Sequence, residues 1–422
     1  MREQRYIRDS LINVDVDDSL IQYKQMELNS LLEVTKAINM NSSAENLFKI
    51  YGFILQAQMK INRLVVLYKH EKDWVCVHQI DYDIKVDGPV HFEESWLEFQ
   101  DEVNLKESDL AIKKHFDVMV PIHHKDRPLA YVLIGKLQEY LNESLSNRLN
   151  FIRTITNIIV VAIENKRLFK RQIEQERFNK EMELAATVQN MLVPNNLPDN
   201  DWVSIDAIYM PHFEIGGDYY DVIEVSDSEI LICMADVSGK GISAALLMAN
   251  FQAMLRLLVI ETKHTLRTLV DKLNRRVEEL TQGERFLTFF VAKYNKNTRV
   301  FKYINAGHPP PIIFQYGDES SLTRLTNGTT IIGAFQELPF LKEGLVENIP
   351  ANANFILFTD GLTDLVNEEG ELFDEDRIIE FVKKQSSQTS KEFNESLLSY
   401  INDFKGKTVF TDDITVLSLK MY

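Results

Sequence analysis

Cysteine is scarce in this 422-residue chain, with only Cys76 and Cys233, and glycine (16) and proline (11) are sparse as well. Two cysteines set inside apolar runs predict buried, reduced thiols rather than a disulfide framework, and with them a reducing compartment. So little glycine and proline excludes collagen-like and low-complexity architectures, and any connector between domains is expected to be structured. Positive charge is in deficit: 46 Lys and Arg against 63 Asp and Glu leave −17, a field that opposes phosphate backbones and anionic lipid. Neither nucleic acid nor a membrane is expected as a partner. The opening MREQRYIRDSLINVDVDD lacks an apolar leader, and no run approaches the ~20 apolar residues of a bilayer span, so a cytoplasmic protein is expected.

What is present is ample core material. Apolar residues at 45% and charged residues at 26% are the profile of a folded globular chain, and 422 residues exceed what one core organises, so two or three domains are expected. Residues 1–24 are polar and weakly patterned, and helical periodicity begins at Leu28, Leu31, Leu32, Val34, Ala37 and Ile38. Ser42 or Ser43 is suited to cap a second helix, and strands are expected at LVVLYK, WVCVHQ, DVMVPIHH and LAYVLIGKL. Residues 25–165 therefore read as a mixed α+β domain, whose order of elements resembles the GAF family of small sensory domains.

From Phe151 to Val193 there is neither Gly nor Pro, so one long helix is expected over about 150–195, roughly 65 Å at about 1.5 Å per residue. Ile155, Ile159, Ala162, Phe169 and Ile173, then Phe178, Met182, Ala185, Val188 and Leu192, make an apolar stripe broken by a five-residue step. A two-stranded coiled coil with a central defect, and hence a homodimer through this linker helix, is the favoured reading; a solvated helix packed on its own domains is the alternative.

Beyond MLVPNNLPDND, a second domain over 196–422 alternates apolar strands with helices, an inventory that suits two packed sheets covered by helices. Its aspartates stand at strand ends: Asp218 and Asp221 in GGDYYD, Asp236 closing EILICMAD, Asp360 and Asp364 in TDGLTD, and Asp412 and Asp413 before ITVLSLK. Carboxylates gathered in this way need a neutralising cation, and oxygen donors without a His or Cys cluster suit Mg²⁺ or Mn²⁺ better than Zn²⁺. Two such ions sharing a carboxylate can activate a water against a phosphate. Taken singly, each aspartate reads equally well as a turn cap.

In this order and spacing, GGDYYD, ADVSGKGISAALLM, NAGHPPPII, LFTDGLTD and TDDITVLSL resemble the PPM family of metal-dependent serine/threonine phosphatases. The likeness is strongest to its bacterial SpoIIE-like branch, whose members dephosphorylate anti-sigma-factor antagonists. It implies an α+β protein with a C-terminal αββα sandwich, two Mn²⁺ or Mg²⁺ ions, and a phosphorylated protein as substrate. It further implies that Asp236 bridges the ions, that Asp218 and the Val237 carbonyl complete one of them, and that Asp360 and Asp412 hold the other. Asp236 and Asp360 are thus the expected catalytic pair. Asp221, Asp364, Asp413 and His308 are candidates for orienting those ligands from behind, with turn capping as the alternative for Asp221 and Asp364.

Two departures stand out. Animal members carry Asp-Gly-His where this chain has Asp236, Val237 and Ser238, so the histidine given the role of leaving-group acid is missing, and His308 is the only nearby substitute. The residue that receives the phosphate has no pattern of its own; Lys240 and Arg285 are the candidates. SGKGIS lacks P-loop spacing, and His123 with His124 reads as a hairpin end rather than a metal site. A catalytically inactive phosphoprotein-binding scaffold of the same fold is the competing function, and it would have no need to retain all of these carboxylates.

Overall fold

The computed structural model describes residues 2–71, 73–82, 90, 92–124, 127–136, 145–212, 215–261, 265–315, 321–385 and 388–422. The chain divides into two compact units, Met1–Glu176 and Arg177–Tyr422.

The first unit opens with helix α1 (Arg2–Asn39), which starts well before the periodicity at Leu28. Helix α2 (Ala44–Phe53) comes next, its first turn capped by the Ser43 hydroxyl accepting from Asn46 N–H. Strands β1 (Arg63–His70), β2 (Asp73–Ile80), β3 (Val103–Asn104), β4 (Val118–His124) and β5 (Arg127–Gly135) form an antiparallel sheet in the order β2-β1-β5-β4-β3. Strand β1 is apolar and buried from Leu64 to Tyr68 because both of its faces are covered there. Leu64 and Val66 join Leu47, Tyr51, Ile152, Ile155 and Ile159 on the helical side, while Val65 and Leu67 join Trp96, Tyr131 and Leu133 on the other. Edge strand β2 is exposed or half-buried along its whole length, and its Cys76 is exposed, contrary to the expectation of a buried thiol; Cys233 is buried, and both are free. An edge strand has one neighbour, so its outward residues meet solvent.

Helix α3 (Leu145–Asn190) runs 46 residues and crosses from the first unit into the second. Its Ile155 and Ile159 are core residues of the first unit, held there with a Tyr51–Thr156 hydroxyl pair at 2.7 Å. That stretch of the apolar stripe is therefore not free for a partner helix. Phe169, Ile173, Phe178, Leu184 and Val188, by contrast, are about half exposed or more.

The second unit contains two sheets. One combines β7 (Tyr219–Ser226), β8 (Glu229–Val237), β9 (Leu287–Asn295), β10 (Val300–Ala306), β13 (Gly328–Thr329) and β14 (Gly344–Val346) in the order β13-β10-β9-β8-β7, with β14 on β10. The other combines β6 (Val203–Met210), β11 (Ile312–Gln315), β12 (Ser321–Arg324), β15 (Ala353–Phe358) and β16 (Ile414–Met421) in the order β12-β11-β15-β16-β6. The sheets face each other through one core, in which Phe355 meets Phe301 at 4.7 Å and Phe290 at 6.0 Å between ring centres. Helices α4 (Ile242–Glu261) and α5 (Leu266–Thr281) cover the first sheet. The short α6 (Asp360–Thr363) comes directly after β15, and α7 (Glu375–Lys384) and α8 (Ser390–Lys405) cover the second sheet through Phe381, Phe393 and Leu397. The result is an αββα sandwich, α+β as the patterning implies.

One expectation fails here. Residues Ile242–Ile260 of α4 are long and apolar enough, by length and composition, to cross a membrane. The helix lays Ala244, Leu247, Met248, Phe251 and Leu255 on the sheet, while Ile242, Leu246, Leu257 and Ile260 on its other side are exposed.

Candidate active site

Strands β8 and β15 belong to opposite sheets, and an aspartate stands at the end of each, Asp236 next to last in β8 and Asp360 two residues past β15. Strand β8 lies between β7 and β9, buried on both faces up to its last turn, so EILICMA is apolar without alternation and Asp236 is the first acid after it. Asp360 stands just beyond β15 as the first residue of α6, and Asp412 and Asp413 precede β16. The paired sheets thus bring both ends of the domain to one point.

Asp218 is the most enclosed of the set, 1% exposed. Its Oδ2 accepts from the hydroxyls of Thr359 (2.9 Å) and Thr415 (2.5 Å), and among the described residues no Lys or Arg pairs with it. Burial first, and the Asp236 charge second, raise its carboxyl well above the carboxylate range. Asp236 is pushed up to about 7, by burial and then by Asp360, Asp412 and Asp413, and it shares a hydrogen bond with Asp218. Asp360 is raised by desolvation and by Asp364 and Asp412. These mutual effects mark one cluster of carboxyls whose joint ionisation is opposed until a cation joins them.

Glycine permits the closeness. A Cβ on Gly216 would lie 2.7 Å from Asp413 Oδ2, and one on Gly217 would lie 3.0 Å from the Val237 carbonyl oxygen. Asp413 uses the room to accept from Gly217 N–H (2.6 Å) and His212 N–H (2.7 Å), tying the loop before Asp218 to the end of the chain. Asp412, half exposed, faces Lys240, whose Nζ is 2.8 Å from Oδ2 and 2.6 Å from the Thr411 carbonyl.

Three candidates sit differently from the reading of the sequence. Asp221 is fully buried but faces away from the cluster: it accepts from Arg256 Nε (2.7 Å) and Nη2 (2.9 Å) and from the Tyr219 hydroxyl (2.6 Å). It is an ion-pair anchor between β7 and α4 rather than a support for the ligands. His308 is also buried, 3% exposed, with Nδ1 2.8 Å from the Thr288 hydroxyl, and burial lowers its pKa to about 3. A ring kept neutral and enclosed in this way is unsuited to be an acid for a leaving group; Thr288 pairs with Asp236 across the ladder, so His308 stands one residue behind the cluster. Asp364 is exposed at the end of α6, where its N–H donates to the Asp360 carbonyl.

Thr359, Thr415, Arg256 and Gln189 escaped the reading of the sequence. The two threonines carried a signal, each lying within two residues of a candidate aspartate. Arg256 and Gln189 carried none, since neither lies near a candidate aspartate in the sequence.

Among the described residues no three Asp, Glu, His or Cys side chains close on a single point as a finished cage. The donor chemistry still fits hard divalent ions: carboxylates and a main-chain carbonyl, with Asp218 buried and, among the described residues, paired with no Lys or Arg. Arg285, whose Nη1 donates to the Ser238 carbonyl at 3.0 Å, lies beside the turn after Asp236.

An αββα sandwich with acids at the converging strand ends defines a metal-dependent phosphatase of PP2C type. Residues 226–422 match the family described as Stage II sporulation protein E (SpoIIE). Phosphoserine phosphatase RsbU of Bacillus subtilis (strain 168) is 30% identical over 305 residues, covering 72% of this chain and 85% of RsbU. Phosphoserine phosphatase RsbP of the same organism is 28% identical over 193 residues, 44% of this chain and 45% of RsbP. Among solved structures, the SiaA-PP2C domain of Pseudomonas aeruginosa shares the fold with a TM-score of 0.52 at 18% identity, over 59% of this chain and 99% of that domain. The chain belongs to the SpoIIE family of PP2C-type phosphatases.

Proposed function

We propose that this phosphatase removes phosphate from phosphoserine or phosphothreonine of a regulatory protein of the anti-sigma-factor antagonist kind, under the control of its first unit acting as a GAF-like sensor. The substrate class is that of the phosphoserine phosphatases RsbU and RsbP. The observation that carries the reading is the buried Asp218 beside the half-buried Asp236, joined by Asp360 and Asp412, with no Lys or Arg paired to Asp218 or Asp236 among the described residues.

In this reading Asp218, Asp236, Asp360, Asp412 and the Val237 carbonyl would hold two Mn²⁺ or Mg²⁺ ions, with Asp236 as the ligand shared between them. Such ions supply a water of lowered pKa and charge compensation on the phosphoryl oxygens. The chain's own groups do the positioning. Thr359 and Thr415 fix one oxygen of Asp218, whose carboxyl also shares a hydrogen bond with Asp236, and Asp413 holds the glycine loop through two N–H groups. Arg285 and Lys240 are the cations placed to meet an incoming phosphate, Lys240 by leaving Asp412. His308 supplies no proton to the departing serine oxygen, which leaves that proton to water. The site is cytoplasmic in this account, and the protein works as a homodimer joined through the exposed half of α3.

The test is phosphate release from a panel of phosphorylated proteins by the full chain. Release with Mn²⁺ or Mg²⁺, lost in Asp236→Asn and in EDTA, is expected; full activity in excess EDTA overturns the reading. Undiminished phosphoprotein binding with no turnover under any metal would establish the scaffold instead.

A further inference from the structure

The last turn of α3 carries a polar residue that is buried. Gln189 is 6% exposed, and its side-chain amide makes two hydrogen bonds to a single residue of the loop before β7. Nε2 donates to the Gly216 carbonyl at 2.7 Å, and Oε1 accepts from Gly216 N–H at 3.1 Å. An amide matched in this way to one residue's donor and acceptor copies the pairing of a neighbouring strand and fixes that peptide's orientation and height.

Gly216 stands two residues before Asp218, so its placement bears directly on that carboxylate. Asp413 packs closely against it, with Oδ2 only 2.7 Å from where a Cβ would stand, so no side chain fits at this position. Gly217 N–H goes to that same oxygen, and the next residue is Asp218, whose Oδ2 is held by two threonine hydroxyls. The loop therefore has three restraints from three parts of the chain: Asp413 from its end, Thr359 and Thr415 from the second sheet, and Gln189 from α3. Only Gln189 lies outside the sandwich. A second link, Gln252 Nε2 of α4 to the Leu192 carbonyl at 3.3 Å, holds the chain just past the helix in register with the same region.

We propose that Gln189 is a positioning residue for the metal site: by clamping Gly216 it sets where Asp218 stands, and hence the affinity for the ion that Asp218 holds. The proposal rests on the assignment of Asp218 as a metal ligand. Loss of such an orienting contact behind a ligand typically weakens metal binding about 10–100-fold. Gln189→Met keeps the length and the packing but leaves both Gly216 groups without partners; Gln189→Ala opens the site so that water can reach them.

The experiment is a titration of the full-length, metal-free protein with Mn²⁺, reading free Mn²⁺ by electron paramagnetic resonance, alongside thermal melting of the metal-free form. Gln189→Met is expected to bind Mn²⁺ at least about 10-fold more weakly. As a control, Ser390→Ala removes a buried bond of similar length, Ser390 Oγ to the Ser204 carbonyl at 2.7 Å, far from the loop, and should lower the melting temperature without moving Mn²⁺ affinity. If Gln189→Met does not fold, Gln189→Ala is read in the same way. Unchanged Mn²⁺ affinity in the folded variant, or an equal loss in Ser390→Ala, overturns the proposal while the metal site stands. Absence of Mn²⁺ binding in the unmutated protein overturns the metal site, and this inference with it.

Discussion

Arg256 and Asp221 form a forked ion pair, Nε to Oδ2 at 2.7 Å and Nη2 to Oδ1 at 2.9 Å, that pins helix α4 to strand β7 from within the domain. The carboxylate is fully buried and the guanidinium is 44% exposed, so the pair is anchored on its acidic side. Removing the arginine leaves an uncompensated charge in the core, which typically costs about 3–5 kcal/mol. Arg256→Ala is therefore expected to lose about 3 kcal/mol in urea denaturation while retaining Mn²⁺ binding. Arg256→Lys should recover only part of the loss, because an ammonium does not reproduce the fork.

Asp412 and Asp413 are neighbours with different expected roles. Asp413 spends both oxygens on main-chain N–H groups of the loop before Asp218, whereas Asp412 has its Oδ2 on an exposed lysine. Asp412→Asn should keep its melting temperature and lose most of its Mn²⁺ affinity. Asp413→Ala removes two bonds to a charged acceptor, each worth about 1.5–3 kcal/mol, offset in part by relief of repulsion with Asp218 and Asp236. A loss of about 2 kcal/mol is expected by urea denaturation. Loss of metal affinity without loss of stability in Asp413→Ala would reverse the assignment.

Much of the site is legible because burial leaves its mark on composition. The run EILICMA marks a strand covered on both faces, and an acid at the end of such a run stands out as Asp236 does. Asp221 misleads for the same reason that Asp236 is found. It stands near a glycine pair at a strand start, and what separates the two is a partner 35 residues away on helix α4, which no local pattern around Asp221 announces. The helical start of α1 escapes notice because its early turns carry no apolar stripe, and the exposure of Cys76 because strand order within a sheet, which makes β2 an edge, is not written in the local pattern.

His308 gives the second unit a pH dependence of definite sign. Burial lowers its pKa to about 3, below the ordinary value near 6.5, so the unfolded chain takes up the proton first as pH falls. The stability of the neutral, buried ring is complete above about pH 6.5 and is lost progressively toward pH 3. Between pH 6.5 and 5.5 this histidine alone removes about 1 kcal/mol. The raised carboxyls of Asp218 and Asp236 act in the opposite direction, so the comparison is with His308→Gln in metal-free protein. The variant should show a flatter fall in unfolding free energy on acidification. Parallel curves for the two proteins would mean that His308 is protonated, or exposed, in the native state.

The exposed half of α3 sets the final expectation, that the full chain is a dimer. Ile155 and Ile159 are already used in the first unit's core, so a seam has to be built from residues farther along. Phe169, Ile173 and Phe178 are 64%, 49% and 50% exposed, and Leu184 and Val188 exceed 60%. Apolar side chains spaced along one helix and left to water are stabilised by a second copy, at roughly 25 cal/mol for each Å² covered. Phe178→Glu with Met182→Glu would place four like charges across that seam, and desolvating them opposes association. Multi-angle light scattering at micromolar concentration should give about twice the 48.9 kDa chain mass for the unmutated protein and the chain mass for the double variant. A dimer that survives the substitutions would locate the interface elsewhere than on this helix, and a monomer in the unmutated protein would leave the stripe as surface.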